Sequence, residues 1–417
     1  MKRLFLSLLL IFLSVALMAA PIKMPPPNMS KNIQIAQSVP EGTILAQPGI
    51  PSTQATWIAM INSAKKSLDI GAFYFTVQKG DAMVPVLNAI KKAAARGVQV
   101  RILLGGLFYP ASIQSLKPLV GLKNVTLRKM PIGKITGGIM HAKYMIIDDA
   151  QVFVGSANFD WRALTQIHEI GVRVRSKRLA QTLTYVFNTD WQISVAKNFL
   201  QNPRLLYRLP PFQPVTAERP IIVNDAGKNI IVHPTFDPKS LNPVGVDWGQ
   251  QKFIKLLGDA QHSVIMQVMQ FSPAQAFGDT NYWSALTNAI HGAASRGVKV
   301  KLIVANWDTH EPAINYLKSL SLSPNVEIKI STIPEGKKFI PYARVEHCKY
   351  FVVDNDLTWI GTGNWTKSYF NSTRDISLIL DGSGPAKTMR EIFYRDWNGP
   401  YTKFIDVNKH YTPPKTH

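Results

Sequence analysis

Two stretches of the 417-residue chain carry the same arrangement of reactive side chains: IMHAKYMIID at 139–148 and VEHCKYFVVD at 345–354. Each has a histidine, a lysine two residues on and an aspartate five residues after that: His141, Lys143 and Asp148, then His347, Lys349 and Asp354. The match continues downstream. After six further residues come GSAN (155–158) and GTGN (361–364), and eleven residues beyond Asn158 and Asn364 stand the acids Glu169 and Asp375. A lone His-x-Lys carries no information. The same residue types recurring in one order, with one set of spacings, do.

The chemistry these types suit is phosphodiester cleavage. Two lysines and two amides can neutralise and hydrogen-bond the non-bridging oxygens of a phosphate without a metal. One imidazole can attack phosphorus and form a covalent phosphohistidine. The other, on the opposite side, can protonate the leaving oxygen and then activate water or an alcohol. In-line displacement needs nucleophile and acid on opposite faces, which a two-fold pair of motifs provides. Glu169 and Asp375 could each hold an imidazole in the useful tautomer through its other nitrogen. On a strand His141 and Lys143 share a face, whereas Asp148 lies at odd spacing, so Asp148, Asp354 and Ser156 are read as structural members of the motif. No metal or other cofactor is expected. HEIG (168–171) lacks the second histidine of a zinc helix, and Cys-x-x-Cys, Gly-x-Ser-x-Gly and phosphate-loop patterns are missing.

Such residues need a frame that brings two distant segments together. AIKKAAARGVQVRILL (89–104) matches AIHGAASRGVKVKLIV (289–304) at an offset of 200. In each an alanine-rich helix stops at Arg-Gly and a β-branched strand follows. Upstream, SLDIGAFYF (67–75) and SVIMQVMQF (263–271) read as equivalent strands, each preceded by a helix. Strands alternating with helices predict an α/β fold of two similar lobes, each a mixed β-sheet flanked by helices, packed about a pseudo-two-fold axis. The expected organisation is a signal peptide at 1–20, a flexible leader at 21–40, a first lobe at 41–210 and a second at 211–417. The proline-rich LPPFQPVTAERPII (209–222) serves as connector.

Lys2 and Arg3 precede a 15-residue apolar run that ends in small residues near Ala19 and Ala20. A membrane span needs roughly 20 apolar residues, so cleavage and export are predicted, to the periplasm or medium if the source is bacterial. Cys348 is the only cysteine, which excludes an internal disulfide; it reads as filler on the far face of its strand. Lysine and arginine number 47 against 26 acids, a net +21, or 45 − 26 = +19 without Lys2 and Arg3. That excess points to polyanionic partners, nucleic acid or an anionic membrane surface.

At the paired motifs the sequence resembles the phospholipase D superfamily, whose signature His-x-Lys-x4-Asp-x6-Gly-Ser/Thr is present twice. GSANFDWRALTQIHEIG (155–171), IPYARVEHCKY (340–350), IGTGNW (360–365) and RDWNGPY (395–401) look like its animal lysosomal branch, five-prime exonucleases on single-stranded DNA and RNA. The resemblance implies a metal-independent phosphodiesterase with a phosphohistidine intermediate. His141 would be the default nucleophile and His347 the general acid, though pseudo-symmetry leaves their order open. Lys143, Lys349, Asn158 and Asn364 would bind phosphate. That branch is membrane-anchored and disulfide-bonded, so its compartment and pH optimum do not carry over.

The expected partner is single-stranded nucleic acid, with bases stacking on Phe73, Tyr74, Phe75 or Phe271. The alternative is a phospholipase D or transphosphatidylase acting on membrane phospholipid, with peripheral membrane contact through apolar loops such as GGLFYPASI (105–113). No obligate protein partner is evident. Intact constellations in both halves argue against an inert polyanion binder. Sequons stand at Asn28, Asn124, Asn364 and Asn371, and a glycan on Asn364 would conflict with phosphate binding.

Overall fold

In the computed structural model, which describes residues 22–196, 199–200, 203–274 and 281–417, most of the strands form two large mixed sheets. The first contains β1 (Ile33–Ser38), β2 (Ser67–Ala72), β3 (Gln99–Gly105), β4 (Val125–Met130), β5 (Lys143–Ile147), β6 (Gln151–Gly155) and β7 (Glu169–Arg175). Its spatial order is β1-β7-β6-β5-β2-β3-β4. The second contains β8 (Ile221–Asp225), β9 (Lys228–Asp237), β10 (Ser263–Val268), β11 (Lys299–Ala305), β12 (Val326–Ser331), β13 (Lys349–Val353), β14 (Leu357–Gly361), β15 (Asp375–Asp381) and β16 (Thr402–Phe404). Its order is β8-β9-β15-β14-β13-β10-β11-β12-β16. Without the edge strands β8 and β16 the two orders coincide. In both, three strands run parallel (β2, β3, β4; β10, β11, β12) and the motif strand, β5 or β13, lies antiparallel beside the first of them.

The longer helices are α1 (Thr53–Ser63), α2 (Val84–Ala95), α3 (Lys177–Ile193), α4 (Gly249–Asp259), α5 (Ala285–Ser295), α6 (Ala313–Ser321) and α7 (Ser383–Asn398). Period-two alternation divides each motif strand between two cores. Tyr144 and Ile146, with Tyr350 and Val352, face a core shared by the two halves and filled from α3 and α7 by Leu183, Phe187, Met389 and Phe393. Met145 and Ile147 face the outer core under α1 and α2, and Phe351 and Val353 face its counterpart under α4, α5 and α6. The repeated Arg-Gly has a physical cause. Gly97 and Gly297 take φ of 94° and 93°, where a side chain is disfavoured. Arg96 and Arg296 donate to the last carbonyls of the neighbouring helix: Ile61, Asn62 and Ala64 in the first half, Leu257, Gly258 and Ala260 in the second.

Two expectations meet the structure differently. The signal-peptide reading falls on residues outside those described. The leader expected at 21–40 contains β1, which is buried along its whole length and pairs with β7 from Ile33↔Val174 to Ser38↔Glu169. The prolines around IQIAQS drew attention from its alternation; the first sheet begins at Ile33, eight residues before the expected boundary. The chain leaves the first half after α3 and enters the second sheet at β8, so 194–220 connects them. Among the described residues no helix is long and apolar enough to cross a membrane.

Candidate active site

β5 and β13 start at the motif lysines, so His141 and His347 sit two residues before them. There the backbone pairs with the opposite half. His141 N–H donates to Arg374 O (3.0 Å) and Arg374 N–H to Ile139 O (2.9 Å). Likewise His347 N–H donates to His168 O (3.0 Å) and His168 N–H to Val345 O (3.1 Å). Arg374 and His168 immediately precede Asp375 and Glu169, so each backbone bridge sets the acid of one half beside the histidine of the other.

The side chains complete the exchange. His141 Nδ1 lies 3.2 Å from Asp375 Oδ1, and His347 Nδ1 lies 2.9 and 2.8 Å from Glu169 Oε1 and Oε2. A carboxylate on Nδ1 holds the proton there and leaves Nε2 as the reactive lone pair. The two sides are not equal. Asp375 Oδ1 also accepts from Thr362 Oγ1 at 2.6 Å, whereas Ser156, the residue matching Thr362, donates to Ile170 O at 3.1 Å. His141, His347, Asn158 and Asn364 line one cavity of about 440 Å³, so the two halves present their histidines to a shared space.

Lys143 Nζ donates to His141 O (2.5 Å) and Lys349 Nζ to His347 O (2.6 Å). Both lysines are buried, at 1% and 0% exposure, and this has an electrostatic consequence. Burial pushes Lys349 down to about 8 and Lys143 well below its ordinary range. Burial also lowers His141 well below its usual value, helped by Lys143 and Lys349, and lowers His347 against the pull of Glu169. Both imidazoles are therefore neutral at neutral pH. Burial raises Asp375 to about 7, against the attraction of Lys143. A cavity that disfavours its own cations is one that an anion would relieve.

Asn364 Nδ2 donates to Gln270 Oε1 and Tyr369 Oη, both at 3.1 Å. Its Oδ1 and that of Asn158 are buried without a partner. Asp148 and Asp354 stand outside the cavity. Asp148 accepts from Lys65, Lys66 and Ser67 N–H at 2.7–2.8 Å, and Asp354 from Gln261, His262 and Ser263 N–H at 2.7–3.2 Å. Each therefore anchors the start of the strand beside its motif. Ser156 closes a reciprocal pair with the backbone of Ile170, accepting its N–H at 3.0 Å.

A second buried cluster lies next to the first. His168 Nδ1 is 2.6 Å from Glu346 Oε2, Glu346 Oε1 accepts Cys348 N–H at 2.9 Å, and Asp396 Oδ2 lies 3.6 Å from His168 Nδ1. His168, Glu346 and Cys348 are the one group among the described residues whose ligand atoms gather closely, within 4.8 Å. Both ring nitrogens of His168 are engaged, Nδ1 by Glu346 and Nε2 by Gln37 at 2.8 Å, and burial pushes the Cys348 thiol well up, away from the thiolate a metal would take.

Of the aromatics expected to meet a substrate, Phe73, Tyr74 and Phe75 line the cavity, Phe75 from within the outer core at 1% exposure. Phe271, 2% exposed, belongs to the other outer core. Phe108, from the apolar loop GGLFYPASI, also lines it, as do Trp307, Tyr342 and Tyr369, which the sequence reading did not single out. A signal was available: at the 206-residue offset Tyr369 aligns with Ala163 and Tyr342 with Thr136, and such departures beside matched motifs mark positions the duplication does not explain.

The family model described as "Cardiolipin synthase, PLD-like domain" matches residues 57–191 and 253–397. A curated relative named "5'-3' exonuclease PLD3", from Rattus norvegicus, is 31% identical over 404 residues, 90% of this chain and 80% of the relative. Another, "Probable phospholipase D F09G2.8" from Caenorhabditis elegans, is 28% identical over 374 residues, 84% and 67% of the two chains. Among solved structures, the phosphatidylserine synthase of Haemophilus influenzae Rd KW20 superposes with a TM-score of 0.59 at 14% identity, covering 86% of each chain, a likeness of fold.

Proposed function

The chain belongs to the phospholipase D superfamily and is a phosphodiesterase, and on that premise we propose that it is a nuclease of the five-prime exonuclease type. Its substrate is single-stranded DNA or RNA and its intermediate a covalent phosphohistidine. The observation that carries this reading is the pair of histidines from opposite halves lining one cavity, each with its Nδ1 against a carboxylate of the other half. The names of the PLD3 relatives and the +21 charge favour nucleic acid as the polyanion.

His141 Nε2 attacks phosphorus, forming a P–N bond as the P–O bond to the leaving group breaks. His347, taking up a proton at Nε2 as the anionic phosphodiester enters the cavity, gives that proton to the leaving oxygen and returns to the neutral imidazole. His347 then takes a proton from water, whose oxygen attacks phosphorus and breaks the P–N bond. Lys143 and Lys349, charged once the phosphate is in place, and Asn158 and Asn364 hold the non-bridging oxygens. Freeing the Asn364 amide hydrogens takes a flip of its amide, which puts Oδ1 where Nδ2 stands to accept from the Tyr369 hydroxyl and a turned Gln270 amide, since each of these is both donor and acceptor. A protein bearing the 1–20 segment would do this work after export.

The phospholipase reading has one specific observation in its favour: Leu107 and Phe108, in the apolar loop beside the cavity, are 63% and 43% exposed. One experiment separates the two. Purified protein in EDTA is given single-stranded oligonucleotides with five-prime hydroxyl or phosphate ends, and separately phosphatidylcholine with ethanol, with His141→Asn as control. Mononucleotide release lost in the variant supports the nuclease; phosphatidylethanol alone overturns it.

A further inference from the structure

The phosphoryl chemistry uses imidazoles, ammonium groups and amides, yet much of the cavity wall is aromatic. On the first half Phe73, Tyr74 and Phe108 form a triangle with ring centroids 5.2, 5.2 and 5.5 Å apart. Phe73 is committed to the site itself, 5.1 Å from the His141 ring. From the second half come Trp307 and Tyr342, 6.4 Å apart.

Tyr342 is unfavourably placed for a residue with only a structural role. It is 50% exposed, so its ring recovers little by burial. Its backbone is at φ 57°, a region that disfavours bulky side chains. The surroundings enforce this. Tyr342 N–H donates to Thr416 O at 2.8 Å, and the buried Arg344 guanidinium ties the loop to Pro334 O (2.7 Å) and, in the first half, to Glu41 O (2.9 Å). An exposed ring held rigid at a conformational cost is explained by a ligand that lies against it. A flat heteroaromatic ring already does: the His417 imidazole lies 5.9 Å from it with 18° between planes.

The charge pattern says what kind of contact the wall makes. Arg162, which also lines the cavity, is paired with Asp160 at 2.6 Å and donates to Pro341 O at 3.2 Å. Apart from the two histidines and the amides of Asn158, Asn364 and Gln270, the lining is mainly ring faces and aliphatic side chains, with no uncommitted charge to read polar edges.

We propose that Tyr342 and Trp307, with Phe108 of the other half lining the same cavity, form a stacking site for a nucleobase of the strand whose phosphodiester is cut. The proposal rests on the nuclease reading and adds a recognition element to it: one base is held by its face, with little preference among sequences.

The test compares two single-stranded oligonucleotides of equal length, one with natural bases and one with abasic tetrahydrofuran residues at both ends. On the base-bearing strand Tyr342→Ala and Trp307→Ala raise KM about tenfold with kcat nearly unchanged, and Tyr342→Phe behaves as wild type. On the abasic strand wild type already has the weakened KM and the variants add nothing. Equal effects on both strands, or none on either, overturn the stacking site while leaving the nuclease reading intact. If wild type cleaves neither strand, the nuclease reading falls and the proposal with it. Loss of binding to phosphatidylglycerol vesicles in Tyr342→Ala, with oligonucleotide KM unchanged, reassigns the wall to a lipid surface and overturns the proposal. Unaltered thermal melting of the variants excludes misfolding as the cause.

Discussion

At the residue scale the site is governed by which carboxylate meets which imidazole. A glutamine in place of Glu169 offers His347 Nδ1 an amide able to donate as well as accept, so the ring loses its fixed tautomer. Glu169→Gln is expected to lower kcat on the order of a hundredfold or more with little change in KM, measured by steady-state kinetics. Asp375→Asn should act in the same direction on His141. The pH profile follows from the lysines and histidines. Lys349 loses its proton near pH 8 in the empty site, because burial has lowered it, and an uncharged lysine binds phosphate poorly. Strand affinity of the inactive His141→Asn variant, followed by fluorescence anisotropy, should therefore hold below pH 8 and weaken as pH rises through it. The acid limb of kcat/KM should lie below the ordinary histidine value of about 6.5, since burial and the neighbouring lysines keep His141 neutral.

At the scale of the elements, three backbone N–H groups converge on each of Asp148 and Asp354, at the start of β2 and β10. Replacing either with alanine strands those donors at a turn where the aspartate itself has φ of 54° or 51°. We expect a loss of about 2–3 kcal/mol, read as a lower thermal midpoint, with asparagine losing less. That both aspartates turn away from the histidine face was legible because odd spacing on a strand is a local property. So were the β3 and β11 strands, the Arg-Gly helix ends and the order of the site residues, all repeated within short windows. The exchange of acids was not, since Glu169 stands eleven residues from Asn158 whichever histidine it serves. β1 was missed because its partner β7 lies more than 130 residues away and the adjoining prolines suggested a loose leader. Trp307 was missed because an aromatic residue in a loop looks the same whether its ring is buried or walls a cleft, and Tyr342 showed only as a departure from Thr136 at the matching position.

At the scale of the whole molecule, the halves are joined by a shared core and by two unlike buried ion pairs. Arg374 meets Asp190 at 2.8 Å with both side chains fully enclosed, and the matching pair at the 206 offset is His168 with Asp396, joined by Glu346. Arginine stays charged, whereas histidine titrates. Burial would push His168 down, but Glu346 and Asp396 outweigh it and hold it at about 9. A folded-state value above the unfolded one means stability that is complete below about pH 6.5 and lost as pH rises through about 9. The thermal midpoint of wild type should fall across that window, and His168→Gln should flatten the slope. Separately expressed halves, split within 194–220, should each be inactive, and any cleavage should return only when both are present together. That expectation has a consequence during synthesis. A nascent chain with its first half finished has His141 but not Asp375, and Glu169 with no imidazole to hold. Phosphodiester cleavage is thus withheld until the last third of the polypeptide has emerged and docked, so the fold acts as its own safety catch.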